Sequence, residues 1–192
     1  MRTERLTPKL VIEAAALMAD ADGLSRVTVT SVARVLGVQQ PALYRHIEGY
    51  DGLIRELSLR GRELLATALA DAALGRAGDD AVTAMAHAWR RFAGEHPGLY
   101  EATDRAPSTG DPDMEAAIEH VTEVLQRALV GYDLDADDAV HAARTMRSAF
   151  HGFCHLELSR EHPSPVDLDD SYVHLIELVC AGIRALSTAT VT

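Results

Sequence analysis

The sequence is poor in cysteine, in aromatic residues and in uninterrupted apolar segments. Its 192 residues include two cysteines, too few for a disulfide framework, and this favours a reducing setting, the cytoplasm. No uncharged apolar run reaches the ~18 residues of a membrane span, and Glu13 and Asp20 interrupt the apolar N-terminal stretch. Neither a membrane association nor a secretory leader is therefore predicted. Alternation of apolar and polar residues is also missing over any useful length, which argues against β-strands.

Helix-forming residues and helical spacing fill the chain instead. Apolar residues make up 47% of the sequence and charged residues 24%, an ordinary globular composition. Apolar positions recur at helical spacing, and capping residues, glycines and prolines separate the segments. This pattern predicts an all-α protein. The predicted helices cover about 8–21, 28–36, 40–46, 50–74, 80–95, 112–130, 135–160 and 167–186, with one further turn at 99–103, a mobile loop at 105–112 and a frayed tail at 187–192.

Charge is unevenly distributed along the chain. The net charge is −11, yet residues 1–62 carry nine of the 18 basic side chains and only seven of the 29 acidic ones. The N-terminal third is therefore mildly basic and the remainder strongly acidic. This asymmetry predicts two tasks, with any polyanionic partner contacting the N-terminal part alone.

Residues 28–46 carry the clearest structural signal. Two short helices are joined by only Gly37, Val38 and Gln39, and neither is long enough to bury a full face by itself. Both must pack on the helix at 8–21, which makes a three-helix unit of helix-turn-helix type. In such a unit the second short helix enters the major groove of DNA. A plain connector with no DNA contact would have the same spacing.

The side chains of this segment suit a DNA duplex. Glutamine amides can donate and accept at an adenine edge, small apolar side chains can contact a thymine methyl, and polar donors suit phosphates. Arg45 could instead reach a guanine. The candidates for base contacts are Gln39, Gln40, Pro41 and Ala42, and those for phosphate contacts are Tyr44, Arg45 and His46.

The stretch from Thr28 to His46, followed by Asp51 to Ile54, resembles the DNA-binding domain of the tetracycline-repressor (TetR) family over about residues 7–60. The resemblance implies a homodimer that reads a palindromic operator through residues 5–65 and binds a small molecule through a helical domain at 66–192, joined by a long helix. By position, it implies that Gln40, Pro41 and Arg45 face bases, and that Tyr44, His46, Thr28 and Thr30 contact phosphates. Tyr50 stands where the family often has lysine; it can donate to a phosphate but brings no charge.

The C-terminal part carries a second, shorter resemblance. Residues 92–100 and Phe150-His151-Gly152 are similar to a TetR subgroup named for a Trp-His-Gly signature, with Phe150 replacing the tryptophan. The family resemblance implies that the last two long helices pair with those of a second copy, through a face of Leu175, Ile176, Val179, Ile183 and Leu186. The same face could pack inside the monomer.

Aromatic residues, methionines and two histidines are the candidates for a largely apolar effector site, because ligand pockets are mostly apolar with a few polar groups. Each of them could also be ordinary core. The candidates are Met85, Trp89, Phe92, Tyr100, Met114, Met146, Phe150, His151, Phe153 and His155.

Catalytic and metal sites are the remaining alternatives. His151 and His155 lie four residues apart and could bind one ion, but a metal site would need further ligands such as His87, Asp104 or His174. No Glu-x-x-His sequence, phosphate-binding glycine loop or G-x-S-x-G motif is present. The sequence therefore predicts no enzyme, no cofactor and no metal. A helical bundle that binds a metal or small molecule, or acts on one, without DNA is the alternative.

Overall fold

The computed structural model describes residues 5–105 and 110–189. These residues form helices and contain no strand, which confirms the all-α class. Leu24–Arg26 and Leu129–Tyr132 are short 3-10 helices. The α-helices are α1 Pro8–Asp22, α2 Val29–Val35, α3 Gln40–Leu43, α4 Gly49–Ala73, α5 Gly78–Glu95, α6 Pro97–Arg105, α7 Pro112–Ala128, α8 Ala136–Leu158 and α9 Leu168–Ala189.

The predicted helix starts at Thr7 and Thr28 are confirmed. The Thr7 hydroxyl accepts the Leu10 amide at 3.2 Å, and Pro8 opens α1, where its missing N–H removes no helical bond. The Thr28 hydroxyl accepts the Ser31 amide at 3.0 Å, and the Ser31 hydroxyl in turn accepts the Thr28 amide at 2.8 Å. This reciprocal pair satisfies two amides that a helix start otherwise leaves without partners.

Two predicted boundaries differ from the structure. The second short helix was expected over 40–46, but α3 ends at Leu43 and residues 44–46 form turns. The Gln39 side chain does not cap α3, and Pro41 has no N–H to donate. The His46 amide donates to the Leu43 carbonyl three residues earlier at 2.8 Å. Such a bond belongs to a 3-10 turn rather than to an α-helix. At the C-terminus, residues 187–189 continue α9 rather than fraying. Residues 106–109 of the predicted loop and 190–192 of the predicted tail lie outside the described residues.

The chain divides into two compact units. The first comprises the residues up to Glu63 together with Glu95–Ala117, and the second comprises Leu64–Gly94 together with the residues from Ile118 onward. The first part of α4 thus belongs to one unit and the last part to the other. The predicted domains, 5–65 and 66–192, are functional divisions and remain predictions, but α6 and the start of α7 pack with the N-terminal helices.

In the first unit, α1 packs against α2 and α6. Val11, Val32, Leu43 and Leu57 are fully buried in its core. Helices α1 and α6 touch at Gly98, where an added Cβ would lie 2.1 Å from the Ala19 carbonyl carbon.

In the second unit, α8 packs against α9, and an arginine joins both helices to α5. Arg90 donates two hydrogen bonds to Glu157, at 2.8 and 2.5 Å, and pairs with Asp169 at 2.8 Å. Its guanidinium also lies 5.0 Å from the Tyr172 ring centre. The hydrogen bonds that Arg90 donates to Glu157 raise the pKa of Arg90 well above its usual range.

No described helix is both long and apolar enough to cross a membrane.

Candidate nucleic-acid interface

The turn between α2 and α3 has the geometry that the sequence predicts. Gly37 has φ 65°, a conformation that only glycine adopts without strain. The Val38 amide bonds back to the Ala33 carbonyl at 3.0 Å, which closes the end of α2 as in a Schellman cap. Helix α3 therefore begins three residues after Gly37, in contact with α2.

Two apolar side chains hold the segment after this turn on the first unit. Leu43 is fully buried and Ile47 is 5% exposed. The side chains between and before them lie at the surface: Gln39, Pro41, Tyr44 and Arg45 are exposed, while Gln40, Ala42 and His46 are half-buried. The structure thus places every base-contact candidate of the sequence on one accessible segment.

A chain of hydrogen bonds links three of the predicted interface residues. The Thr30 hydroxyl on α2 donates to Oε1 of Gln40 at 3.3 Å, and Nε2 of Gln40 donates to the Tyr44 hydroxyl at 3.0 Å. Thr28 is engaged differently, because its hydroxyl donates to the Ser31 hydroxyl at 3.0 Å as part of the α2 cap. The amide of Gln40 is therefore held by one side chain of α2 and by one from the turn that follows α3.

Four arginines of the first unit differ in whether an acidic side chain already pairs with them. Arg26, Arg34 and Arg45 are exposed and form no ion pair with any residue that the structure describes. Arg55 donates to Asp111 at 2.5 and 2.9 Å and to Asp113 at 2.6 Å, and these hydrogen bonds raise its pKa well above the usual range. Arg55 is neutralised inside the unit, whereas the first three remain available to a polyanion.

Tyr50 is the second residue of α4 and is 48% exposed. A helix N-terminus presents amide donors and a partial positive charge, which favours a phosphate nearby. Asp51, in the same first turn, opposes that charge. A phosphate contact at this point therefore depends on the hydroxyl of Tyr50.

The predicted effector residues are divided between the two units. Tyr100 and Met114 belong to the first, where both are buried and the Ser58 hydroxyl contacts the Met114 sulfur at 3.6 Å. The others belong to the second unit. There Met85, Trp89, Phe92, Met146 and Phe150 are buried, Phe153 and His151 are half-buried and His155 is exposed.

Tyr172 is the residue of the second unit that the sequence analysis missed. It is fully buried, donates to the Ala86 carbonyl at 2.6 Å and has its ring centre 4.8 Å from that of Phe153 and 6.3 Å from that of Phe150. Its spacing of four residues from Ile176 was the signal that could have found it.

The structure shows the neighbours of four histidines of the second unit. The rings of His151 and His155 lie 6.0 Å apart. His87 packs edge-on against Tyr172, and Nδ1 of His174 contacts the carbonyl of Asp170 on its own helix at 2.8 Å.

The face of α9 predicted for dimer contact is mostly internal. Ile176, Val179 and Ile183 are buried in the second unit, and Leu175 and Leu186 are partly exposed. The alternative of packing inside the monomer holds for those three, because they are buried within the chain itself. The apolar side chains that α8 and α9 leave exposed are different: Leu156, Leu158, Val173 and Leu178.

The fold and this surface define a helix-turn-helix DNA-binding unit attached to a helical bundle, the class of transcriptional regulators. Similar proteins of known class support this assignment. Residues 82–179 match the family described as "Tetracyclin repressor-like, C-terminal domain". The chain is 33% identical to the HTH-type transcriptional regulator Rv0681 of Mycobacterium tuberculosis, over 97% of this chain and 86% of the relative. It is 32% identical to the HTH-type regulator YobS of Bacillus subtilis, over 93% of each.

A solved structure is similar throughout. The TetR regulator SCO7222 of Streptomyces coelicolor superposes with a TM-score of 0.71 at 20% identity, over 95% of this chain and 100% of the other. The chain therefore belongs to the tetracycline-repressor family of helix-turn-helix transcriptional regulators, as the sequence of residues 28–46 predicted. Membership of the Trp-His-Gly subgroup stays a prediction.

Proposed function

We propose that the protein binds a palindromic operator as a homodimer, represses transcription, and is released by a small, largely apolar effector. The single observation that carries the proposal is the accessible recognition segment: Gln39, Gln40, Pro41 and Ala42 are exposed or half-buried on the same unit that carries the exposed Arg26, Arg34 and Arg45. Exposed arginines on the unit that carries this segment can pair with the phosphates of a DNA backbone.

In this proposal the interface divides into reading and positioning contacts. Gln39, Gln40, Pro41 and Ala42 meet base edges in the major groove, and Arg45 reaches a guanine or a phosphate. Tyr44, His46 and Tyr50 contact phosphates. The Thr28 hydroxyl serves the interface by capping α2.

The dimer is proposed to form through α8 and α9. Leu178 is 72% exposed on α9, and Val173, Leu156 and Leu158 add to an apolar surface on the same two helices. Pairing with a second copy would remove this surface from water. Dimerisation would also present two recognition segments to half-sites about 34 Å apart.

The effector is proposed to bind in the second unit, among Met85, Trp89, Phe92, Met146, Phe150 and Phe153, with His151 and His155 as polar anchors. The rings of Trp89 and Phe150 lie 6.4 Å apart, and methionine side chains adapt to a new neighbour easily. The effector would favour a state in which the recognition segments no longer fit both half-sites. The chain acts in the cytoplasm, where its DNA lies, by binding and not by catalysis.

The test is a binding screen against genomic DNA fragments, followed by a titration of one fragment with Gln40→Ala and Arg45→Ala. Gln40→Ala is expected to lose about 1–3 kcal/mol of binding free energy at particular operator positions. Gln126→Ala is the matched control, since Gln126 is also half-buried but lies on α7 of the second unit. An equal loss on every sequence would contradict base reading by Gln40.

Oligomeric state is tested in parallel by light scattering. Leu178→Glu is expected to give monomers with weak operator binding. Leu74→Glu, at a residue that is 80% exposed just after α4, is expected to leave the dimer intact. A monomeric protein without affinity for any DNA at low salt would overturn the proposal.

A further inference from the structure

We propose that Thr30 is a specificity-determining positioning residue, which acts by holding the amide of Gln40 in the orientation that reads a base. The inference rests on the proposed base contact of Gln40. It replaces the phosphate contact that family resemblance implies for Thr30, and it assigns to α2 a share in sequence selection.

The geometry joins three residues from three parts of the motif. Thr30 lies in the first turn of α2, Gln40 is the first residue of α3, and Tyr44 follows the end of α3. Oγ1 of Thr30 lies 3.3 Å from Oε1 of Gln40, and Nε2 of Gln40 lies 3.0 Å from the Tyr44 hydroxyl. Both polar ends of the amide are thus held, and each by a different side chain.

The amide still has the groups that base reading needs. A glutamine amide offers two N–H donors and two carbonyl lone pairs. The bonds to Tyr44 and Thr30 use one donor and one lone pair, so one of each remains. A bidentate contact with the N6 and N7 atoms of adenine requires one donor and one acceptor of this kind.

Holding the amide in advance matters because glutamine is flexible. A free glutamine side chain populates many rotamers, and binding must select one of them at an entropic cost. The bonds to Thr30 and Tyr44 restrict the rotamers of Gln40 before DNA binds. This lowers the entropic cost of binding to the base that fits the held amide and does not help binding to the other bases.

The hydroxyl groups of Thr30 and Tyr44 differ in whether they can still donate a hydrogen bond after bonding to Gln40. Thr30 has one O–H hydrogen and donates it to Gln40, so in this arrangement it has none for a phosphate. Tyr44 accepts from Gln40 and keeps its own hydrogen, and its side chain is 53% exposed. A phosphate contact through Tyr44 would therefore leave the hold on Gln40 intact.

The experiment measures the affinity of wild type, Thr30→Val and Thr30→Ser for the operator and for operators with single base-pair changes across one half-site. Valine keeps the shape of threonine and removes the hydroxyl, and serine restores it. Thr30→Val is expected to reduce discrimination about 5- to 10-fold at the base pair that Gln40 reads, and Thr30→Ser to retain most of it. Thr122→Val, on α7, is the matched control.

The decisive measurement is the double variant. If Thr30 acts through Gln40, adding Thr30→Val to Gln40→Ala changes discrimination no further. Tyr44→Phe, which keeps the ring and removes the other hydroxyl, is expected to weaken discrimination at the same base pair and also affinity for all sequences. Unfolding midpoints of all variants are measured alongside.

Two results would overturn the inference. In the first, Thr30→Val weakens binding equally on every operator and this loss adds to that of Gln40→Ala, which would make Thr30 an independent contact to the DNA backbone. In the second, Thr30→Val has no effect on discrimination. A wild-type protein that prefers no sequence, or a Gln40→Ala loss spread over all sequences, would instead overturn the proposed function and this inference with it.

Discussion

Asp20, near the end of α1, accepts a hydrogen bond from the backbone amide of Leu99 at 2.9 Å. The same carboxylate oxygen accepts the Gly98 amide at 3.0 Å, and the other oxygen lies 2.9 Å from Nδ1 of His96. These amides belong to the first turn of α6, which begins at Pro97. Because a helix cannot satisfy its own first amides, Asp20 caps α6 from a distant part of the chain.

We expect Asp20→Ala to lower the free energy of unfolding by about 1–2 kcal/mol, the usual worth of a helix cap. Asp20→Asn, which keeps an acceptor oxygen, should lose less. Urea titrations followed by circular dichroism measure both. Asp22→Ala is the matched control, since Asp22 is exposed at the end of the same helix. Equal midpoints for Asp20→Ala and Asp22→Ala would show that the cap contributes nothing.

Gly98 allows α1 and α6 to approach each other. A Cβ at this position would lie 2.2 Å from the Ala19 carbonyl oxygen, a backbone atom. Gly98→Ala is therefore expected to destabilise the fold by roughly 3 kcal/mol or more, since the helices must separate. Gly94→Ala, near the end of α5 with nothing within 4 Å, should be neutral or slightly stabilising. Thermal unfolding of the two variants gives the comparison.

Stability at acidic pH is expected to depend on Asp111. Hydrogen bonds from Arg55 hold the pKa of Asp111 at about 2, below its ordinary 3.8. Because the folded-state pKa is the lower one, the carboxylate stabilises the fold above the unfolded value and this contribution is lost as the pH falls from about 4 toward 2. Asp111→Asn should be less stable at pH 7 and show a flatter decline in that window.

Chemical denaturation at several pH values tests this expectation. Asp71→Asn, at an exposed site on α4, is the control and should follow wild type. Parallel pH profiles for wild type and Asp111→Asn would contradict the assignment.

The two thiols are expected to be unreactive in the folded protein. Cys154 and Cys180 are 1% and 4% exposed, and burial raises the pKa of Cys154 to about 12 and that of Cys180 above its ordinary 9.0. Little thiolate, the reactive form, is therefore present at pH 8. Ellman's reagent should label neither cysteine until denaturant is added, whereas Ser25→Cys, at an exposed position, should be labelled at once.

Local signals in the sequence predicted most of the helices. Thr7, Thr28 and Gly37 act through bonds or dihedral angles within a few residues of themselves, and the structure has each of them in its expected role. Contacts between distant residues could not be predicted in the same way. Nothing near Asp20 indicates that its partners lie 79 residues later at Leu99, since that depends on how α1 and α6 cross.

In the candidate interface, too, the sequence predicted local features but not contacts between separate helices. Helix-turn-helix spacing predicted that the second short helix presents side chains to DNA; the structure shows that Leu43 and Ile47 anchor this segment. Spacing did not predict the bond from Thr30 to Gln40, which requires the actual angle between α2 and α3. For α9, periodicity identified an apolar face but not its partner: Ile176 and Val179 face the same chain.

Helix α3 consists of four residues, and Leu43 is the buried one among them. The stability of the first unit therefore depends little on the identity of its outward-facing neighbours. Substitutions at Gln39, Pro41 or Arg45 can accumulate during evolution without unfolding the protein. Descendants of a duplicated gene could thus acquire new target sites in a few mutational steps while the scaffold stays unchanged.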